Sequence, residues 1–217
     1  MLSLTEENYL KSIFVLNLEK SEGASTNAIA EKLNTKASSV SDMLKRLLKK
    51  EMIHYKKYQA VKLTDSGKAV AVSILRKHRL WEHFLVEKLH FKWDEVHDVA
   101  EQLEHIRSKK LTDQLDAFLG HPKFDPHGDP IPDKEGNFPV KMRQTLDQAI
   151  EGQEVLIVGV KDHSSEFFNY LERLEIELGT KLKVKTINQF DASMEIEINQ
   201  NETTTISSEV AQNLFVK

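Results

Sequence analysis

Two histidines and two carboxylates recur within the short segment His97-Asp-Val-Ala-Glu101-Gln-Leu-Glu104-His105. On a helix that turns about 100° per residue, these four positions fall within an arc of roughly a quarter-turn. The like charges of Glu101 and Glu104 repel each other unless a cation lies between them. Imidazole and carboxylate groups are the ligands that a divalent transition metal takes in proteins that lack thiolates. The spacing therefore predicts a metal site, with a solvated Glu/His face as the alternative.

An earlier segment repeats this pattern as His78-x-x-x-Glu82, and five of the nine histidines lie between residues 78 and 105. The chain has no cysteine, which excludes disulfides, thiolate ligands and a cysteine nucleophile. Two such stripes in consecutive helices favour a metal site whose ligands are nitrogen and oxygen atoms.

The composition indicates a globular protein of one large or two to three small domains, since 40% of the 217 residues are hydrophobic and 29% are charged. No apolar run approaches the length of a membrane span, so we expect no membrane partner. The first residues show no basic segment followed by an apolar one, as a secretory signal would. A cytoplasmic location is the default expectation.

The net charge of −4 hides an asymmetry between the two parts of the chain. Residues 1–62 carry 11 Lys/Arg against 7 Asp/Glu, whereas residues 63–217 carry 19 against 27. A basic segment on an acidic protein suggests that this segment meets a polyanion.

The basic segment has the pattern of a helix-turn-helix. Ser3-x-x-Glu6 resembles a capping box before a first amphipathic helix. Ser25 or Thr26 is expected to cap a short second helix, and Ser38 or Ser39 a third. A helix pair joined by a tight turn, the second helix with small polar and basic groups outward, is typical of DNA recognition. The candidate DNA contacts here are Lys36, Ser38, Ser39, Ser41, Asp42, Lys45 and Arg46.

A winged version is indicated by the residues that follow. Strand candidates at 52–55 and 60–63 flank a basic hairpin tip that holds Lys56 and Lys57. Basic residues at such a tip suit contact with phosphates beside a groove. The alternative is a structural three-helix unit with a solvated charged face.

The rest of the chain predicts helices at about 65–90 and about 94–118, whose apolar faces suggest that two chains pack together. Four of the five prolines lie between residues 122 and 132, which predicts a rigid extended connection. Strands at 154–160, 181–187, 194–198 and 203–206, with a helix at 166–177, suggest a small barrel. The fold class expected is mainly α with small β parts.

These residues carry a family resemblance. Residues 5–10, the helix-turn-helix, and the segments 75–82, 96–105 and 126–132 are similar to those of the DtxR/MntR family of metal-dependent transcriptional regulators. The resemblance implies a homodimer with a winged helix-turn-helix domain at 1–74, a dimerisation and metal-binding domain at 75–132, a linker at 133–147 and an SH3-like (FeoA-type) domain at 148–217.

The resemblance also implies a primary metal site of Asn8, Glu101, Glu104 and His105. Iron-type members have cysteine where this chain has Glu101 and methionine where it has Asn8, whereas manganese-type members have carboxylates at both. This chain follows the manganese pattern at Glu101 and has a neutral amide at Asn8. Short manganese regulators have a carboxylate in place of Lys11, so their paired-metal arrangement is not expected.

A second metal site is implied in one of two versions. In the first, His78, Glu82 and His97 are completed by His163 and Glu166. In the second, which resembles some long manganese regulators, Glu82 joins Asp125, His127 and Asp162.

The function implied is a repressor of metal-homeostasis genes that binds a palindromic double-stranded DNA operator when Mn(II), or else Fe(II), is bound. Metal between Asn8 and the 101–105 stripe would fix the first helix and set the spacing of the recognition helices. The alternatives are a winged-helix regulator that is not gated by metal and a helical di-metal carboxylate enzyme. Such an enzyme needs Glu-x-x-His on two helices, and no matching partner helix is present, so no enzyme activity is expected.

Overall fold

The computed structural model describes residues 2–19, 23–56, 59–139, 144–162 and 164–217. It contains two compact units. The first comprises Met1–His78, Glu101–Gln114 and Pro132–Phe138, and the second comprises Arg79–Ala100, Leu115–Ile131 and Pro139–Lys217. Among the described residues, no helix is long and apolar enough to cross a membrane.

The first unit opens with helices α1 (Leu4–Glu19), α2 (Thr26–Lys32) and α3 (Ala37–Lys49). The capping box is confirmed, because the Ser3 amide donates to Glu6 Oε2 at 2.8 Å and the Glu6 amide donates to Ser3 Oγ at 3.2 Å. Ser25 caps α2 as expected. The expected Ser38 or Ser39 cap of α3 is wrong, because extended Lys36 precedes the helix and offers no side-chain cap.

The helices pack on a hydrophobic core with a two-stranded wing. Strands β1 (Ile53–His54) and β2 (Lys62–Leu63) pair antiparallel, as the sequence predicts. Helix α4 (Asp65–Leu89) follows, with Thr64 Oγ1 accepting from the Gly67 amide. The α1–α3 side chains that are almost completely buried are Leu10, Ile13, Ile29, Val40, Leu44 and Leu47.

The expected single helix at 94–118 is wrong. It is two helices, α5 (Trp93–Leu103) and α6 (Lys109–Phe118). Ser108 starts the second one, since its Oγ accepts from the Leu111 amide at 3.2 Å. Glu104 and His105 therefore project from the turn after α5, not from a continuous helical stripe.

The C-terminal part is an antiparallel sheet with two helices. Its strands are β3 (Gln144–Thr145), β4 (Glu154–Val160), β5 (Lys181–Ile187), β6 (Met194–Ile198), β7 (Glu202–Ile206) and β8 (Leu214–Val216), in the order β3-β8-β4-β5-β6-β7. Helix α7 (Ser165–Arg173) follows β4, and α8 (Ser208–Asn213) precedes β8. The fold class is confirmed; β3, α8 and β8 have too few residues for their periodicity to predict them.

The proline-rich segment packs against β4 within the second unit. Gly128 has a φ of +81°, and a Cβ there would meet the Val158 carbonyl oxygen at 2.2 Å. A Cβ at Gly159 would meet the His127 carbonyl oxygen at 2.8 Å. The Val160 amide donates to that same His127 oxygen at 2.9 Å. The two glycines thus allow the backbone of the proline-rich segment to approach the backbone of β4 closely. The hydrogen bond between them holds the segment in place.

Candidate metal centres and nucleic-acid interface

One face of α1 meets the end of α5 and the turn after it through three side-chain pairs. Asn8 Nδ2 donates to Glu101 Oε1 at 3.1 Å. Lys11 Nζ donates to Glu104 Oε2 at 2.7 Å. Glu7 Oε2 lies 2.7 Å from His105 Nδ1. All four residues of the predicted primary site therefore lie together in the first unit.

Glu104 is a fully buried carboxylate with two partners on one oxygen. Its side chain is 0% exposed, and Oε2 lies 2.7 Å from Lys11 Nζ and 2.6 Å from His78 Nδ1. Burial by itself would raise the pKa of Glu104, but the contacts with His78 and Lys11 outweigh it and hold the pKa below its usual value. The carboxylate is thus kept ionised inside the protein.

Two buried oxygens at this centre have no hydrogen-bond partner among the described residues. They are Asn8 Oδ1 and Glu104 Oε1. A buried acceptor without a partner costs about 1–3 kcal/mol and needs an explanation. His105 Nε2 lies 3.7 Å from this Glu104 Oε1. One oxygen of each of two predicted ligands is thus left without a hydrogen-bond partner among the described residues, and a bound metal ion would supply that partner.

The sequence interpretation missed Glu7. It is 8% exposed, and its other oxygen, Oε1, lies 3.8 Å from the Arg107 guanidinium. Glu7 precedes the predicted ligand Asn8, but a spacing of 98 residues from His105 gives no sequence signal for the contact.

A second cluster lies inside the second unit. Glu82, Asp125 and His127 are all buried, and each offers one ligand atom within 4.8 Å of the others. His127 Nδ1 lies 3.8 Å from Glu82 Oε2 and 4.0 Å from Asp125 Oδ1. The His127 ring packs on Phe168 of α7, with ring centroids 5.3 Å apart. The cluster contains three residues of the second version of the predicted site; Asp162 is half-buried and accepts from the Ser164 amide at 2.8 Å.

The charged groups around Asp125 shift the pKa of its carboxyl group. Burial, with the nearby carboxylates of Glu82 and Asp129, raises the pKa of Asp125 from 3.8 to about 7. Arg79 opposes this shift, with Nε 3.5 Å from Asp125 Oδ2. Its Nη1 also donates to the Pro130 carbonyl at 2.5 Å. Arg79 thereby ties α4 to the segment that carries two candidate ligands.

The first version of the second site has a different outcome for each residue. His97 Nδ1 lies 3.3 Å from Glu82 Oε1, and the His97 side chain is 60% exposed. His78 belongs to the first unit, where it contacts Glu104. Glu166 is exposed in the first turn of α7, and His163 lies outside the described residues. This set stays a prediction.

The candidate DNA contacts form the exposed face of α3 and the wing. Lys36, Ser38, Ser39, Lys45 and Arg46 are exposed. Lys45 Nζ donates to Asp42 at 2.9 Å, and Ser41 Oγ donates to the Ala37 carbonyl at 3.0 Å. Lys56 is exposed at the wing, and Lys57 lies outside the described residues. Every described member except Ser41, which is half-buried, is open to solvent, as a contact with a large polyanion requires.

Comparison with protein families gives matches along almost the whole chain. Residues 1–61 match the iron-dependent repressor N-terminal DNA-binding domain. Residues 64–133 match the iron-dependent repressor metal-binding and dimerisation domain. Residues 144–217 match the FeoA domain.

Curated relatives include the diphtheria toxin repressor of Corynebacterium jeikeium, which is 32% identical over 155 residues, covering 70% of this chain and 64% of that protein. The iron-dependent repressor IdeR of Mycobacterium tuberculosis is 34% identical over 128 residues, which is 59% of this chain and 55% of that protein. The chain thus spans less than two thirds of the length of these relatives.

A solved structure described as a manganese-dependent transcriptional repressor in complex with manganese is similar along its whole length. It is 34% identical, with a TM-score of 0.84 and coverage of 98% of this chain and 99% of that chain. The structure of ScaR with bound Zn²⁺ is 30% identical, with a TM-score of 0.72 and coverage of 98% of each.

Proposed function

The chain belongs to the iron-dependent repressor family, and we propose on this basis that it is a homodimeric repressor whose binding to a double-stranded DNA operator requires a divalent transition metal. The observation that carries the proposal is the set of three pairs that α1 makes with Glu101 near the end of α5 and with Glu104 and His105 in the turn after it. One buried oxygen of Asn8 and one of Glu104 have no hydrogen-bond partner among the described residues. A solvated Glu/His face would not be buried or leave such oxygens unsatisfied.

Asn8, Glu101, Glu104 and His105 would hold the metal ion of the primary site. Bound there, the ion would supply a positive charge that neutralises two carboxylates. It would also be the partner that the two buried oxygens without a hydrogen bond lack. Asn8 is suited to this, because its amide nitrogen is engaged by Glu101 while its oxygen is free to act as a ligand.

Helix α1 belongs both to this centre and to the core of the DNA-binding domain. Asn8 and Lys11 face the ligands, whereas Leu10 and Ile13 are completely buried in the core. A shift of α1 caused by metal binding would therefore change the core packing that sets the position of α3. Metal and DNA would then bind with a shared coupling free energy, typically about 1–3 kcal/mol.

For the second metal site we favour the version with Glu82, Asp125, His127 and Asp162. Its support is that the first three are all buried, whereas His97 and Glu166 of the other version are exposed. This site would attach α4 to the segment that packs on β4, and so stabilise the C-terminal domain.

Mn(II) is the metal that we propose, and Fe(II) is the alternative. The primary site offers three oxygen-bearing side chains, one imidazole and no sulfur, and hard oxygen ligands suit Mn(II). Raw affinity should still rise from Mn(II) towards Zn(II), so selectivity would come from coordination geometry.

A homodimer is supported by exposed apolar surface in the dimerisation region. Leu89 is 52% exposed and Phe118 is 66% exposed, and Phe118 packs on Phe84 with ring centroids 6.3 Å apart. The pair of Phe84 with the exposed Phe118 is the part of this surface that we propose a partner covers. A two-fold dimer would present two α3 helices to a palindromic operator, as the proposal requires.

The test is selection of binding sequences from a random duplex pool by the full chain, with Mn(II), with Fe(II) without oxygen, and with chelator. We expect a palindromic motif to be enriched with metal alone and the selected duplex to be released by chelator. Equal enrichment in chelator would refute metal gating and favour a winged-helix regulator that responds to something else.

A further inference from the structure

We propose that Glu7 is a positioning residue of the primary metal site, which fixes the ring of His105 so that Nε2 is the ligand atom. This inference rests on the proposed function and assigns a role to a residue outside the expected ligand set. Its basis is a single buried contact, 2.7 Å between Glu7 Oε2 and His105 Nδ1.

The chemistry of that contact fixes the tautomer. An ionised carboxylate only accepts hydrogen bonds, so opposite an ionised Glu7 the His105 Nδ1 carries a hydrogen and donates it to Oε2 in the hydrogen bond. The neutral His105 ring then has its lone pair on Nε2, the atom that lies 3.7 Å from the free Glu104 Oε1. A metal-binding histidine held by a carboxylate on its other nitrogen is a recurrent arrangement, because it fixes ring orientation and raises ligand basicity.

Each of the two carboxylate oxygens of Glu7 has its own partner. Its Oε1 lies 3.8 Å from Arg107, while Oε2 is on His105. The side chains of Glu7 and His105 are 11% and 10% exposed. Water therefore has little access to the contact, which is stronger for that reason.

Because Glu7 lies on α1, its contact with His105 also links the metal site to the DNA-binding domain. The contact makes the ligand His105 sensitive to the position of α1, through a side chain that would never touch the ion. Loss of Glu7 should therefore weaken both metal binding and its coupling to the DNA-binding domain, without removing a ligand.

The experiment measures Mn²⁺ affinity by isothermal titration on the full chain, in an Asp125→Asn background that disables the second cluster. Glu7→Gln should weaken binding about 10–100-fold, the loss that is typical for removal of an outer carboxylate. Glu104→Gln, which removes a ligand, should abolish binding in the accessible range. Glu6→Gln is the matched control: Glu6 is the preceding residue and is also buried, but it pairs with Lys50 Nζ at 2.7 Å. It should leave Mn²⁺ affinity unchanged within about threefold.

Each result decides a different point. If Glu104→Gln binds Mn²⁺ like the parent, the primary site itself is wrong, and the proposed function loses its main support. If Glu104→Gln loses binding but Glu7→Gln does not, only the role of Glu7 is wrong. If Glu6→Gln weakens binding as much as Glu7→Gln does, the effect is structural and the inference fails. A loss in Glu7→Gln as complete as in Glu104→Gln would make Glu7 a ligand and overturn the positioning role.

A second measurement needs no metal. In the chelated parent protein, ¹⁵N spectra of the neutral His105 ring should show a protonated Nδ1 and a bare Nε2, with assignment by a His105→Gln variant. Glu7→Ala should lose this preference. A parent protein with the proton on Nε2 would overturn the inference.

Discussion

Changing Glu104 to glutamine removes one negative charge from a carboxylate that has two partners on one oxygen and a free second oxygen. Its side chain is 0% exposed, and that of its partner Lys11 is 11% exposed. The variant keeps the shape of the side chain but leaves the Lys11 ammonium without a charged partner. It also removes the ligand that we assign to the metal.

The size of the effect on stability follows from this burial. Breaking a buried ion pair costs about 3–5 kcal/mol when one charge is left behind. Glutamine can still accept a hydrogen bond from Lys11, so we expect a cost somewhat below this range, about 2–3 kcal/mol. For a chain of this length that lowers the thermal midpoint by roughly 4–12 °C. Substitution by alanine would cost more, because it adds a cavity.

The assay is thermal unfolding of the full chain in the Asp125→Asn background, which disables the second cluster, with chelator and with Mn²⁺ at about 100 times the dissociation constant of the primary site. At that ratio the ion stabilises the parent protein by about 2.7 kcal/mol, and Glu104→Gln should lose this gain. The control is the double variant Glu104→Gln with Lys11→Met. Since neither buried charge then remains, it should recover most of the stability in chelator but none of the response to Mn²⁺.

Two results would refute the reasoning. A Glu104→Gln protein whose midpoint still rises with Mn²⁺ as in the parent would show that Glu104 is not a ligand. A double variant that recovers the Mn²⁺ response would show that the single variant failed for structural reasons.

Four further predictions test other parts of the protein. Lys56→Ala with Lys57→Ala should weaken binding to all duplexes and lower the salt slope by about one to two units through reduced counterion release, and an unchanged slope in DNA titrations would remove the wing from the interface. Glu101→Cys should shift the half-activating concentration in favour of Fe²⁺ or Zn²⁺ over Mn²⁺ in anaerobic DNA-shift assays, since sulfur is the softer ligand; the same metal order as in the parent would contradict the primary site. Gly159→Ala should weaken the second metal site in calorimetry, because its Cβ would lie 2.8 Å from a backbone oxygen of the segment that carries two ligands; equal affinity would mean that the segment adjusts. Asp125, whose pKa is raised from 3.8 to about 7, binds more protons in the folded state, so the chelated protein should lose stability as the pH rises from about 4 through about 7, and urea unfolding of Asp125→Asn should lack that loss.

The local features of the fold follow from neighbouring residues, and the sequence predicts them well. The Ser3–Glu6 capping box forms as its spacing requires. The apolar run of β4 and the alternating apolar residues of β6 predict the bounds of those strands. The end of α5 at Leu103 is not predictable in this way, because residues 94–118 keep a helical period through the break. There the burial of Glu104 against Lys11 and His78, which come from other helices, accompanies the turn.

The sequence by itself determined which chemistry is available: nitrogen and oxygen ligands without sulfur, a basic helix-turn-helix and the spacing of the candidate ligands. Residue types and their spacing are sufficient for this, because they determine the available ligand atoms and the helical face within a few residues of one chain segment. Tertiary structure alone decided that Glu7 meets His105, that Lys11 and His78 share one oxygen of Glu104, and that Asp125 and His127 meet Glu82. Those contacts join segments up to 98 residues apart, so they depend on how whole helices pack and on where buried charges find partners.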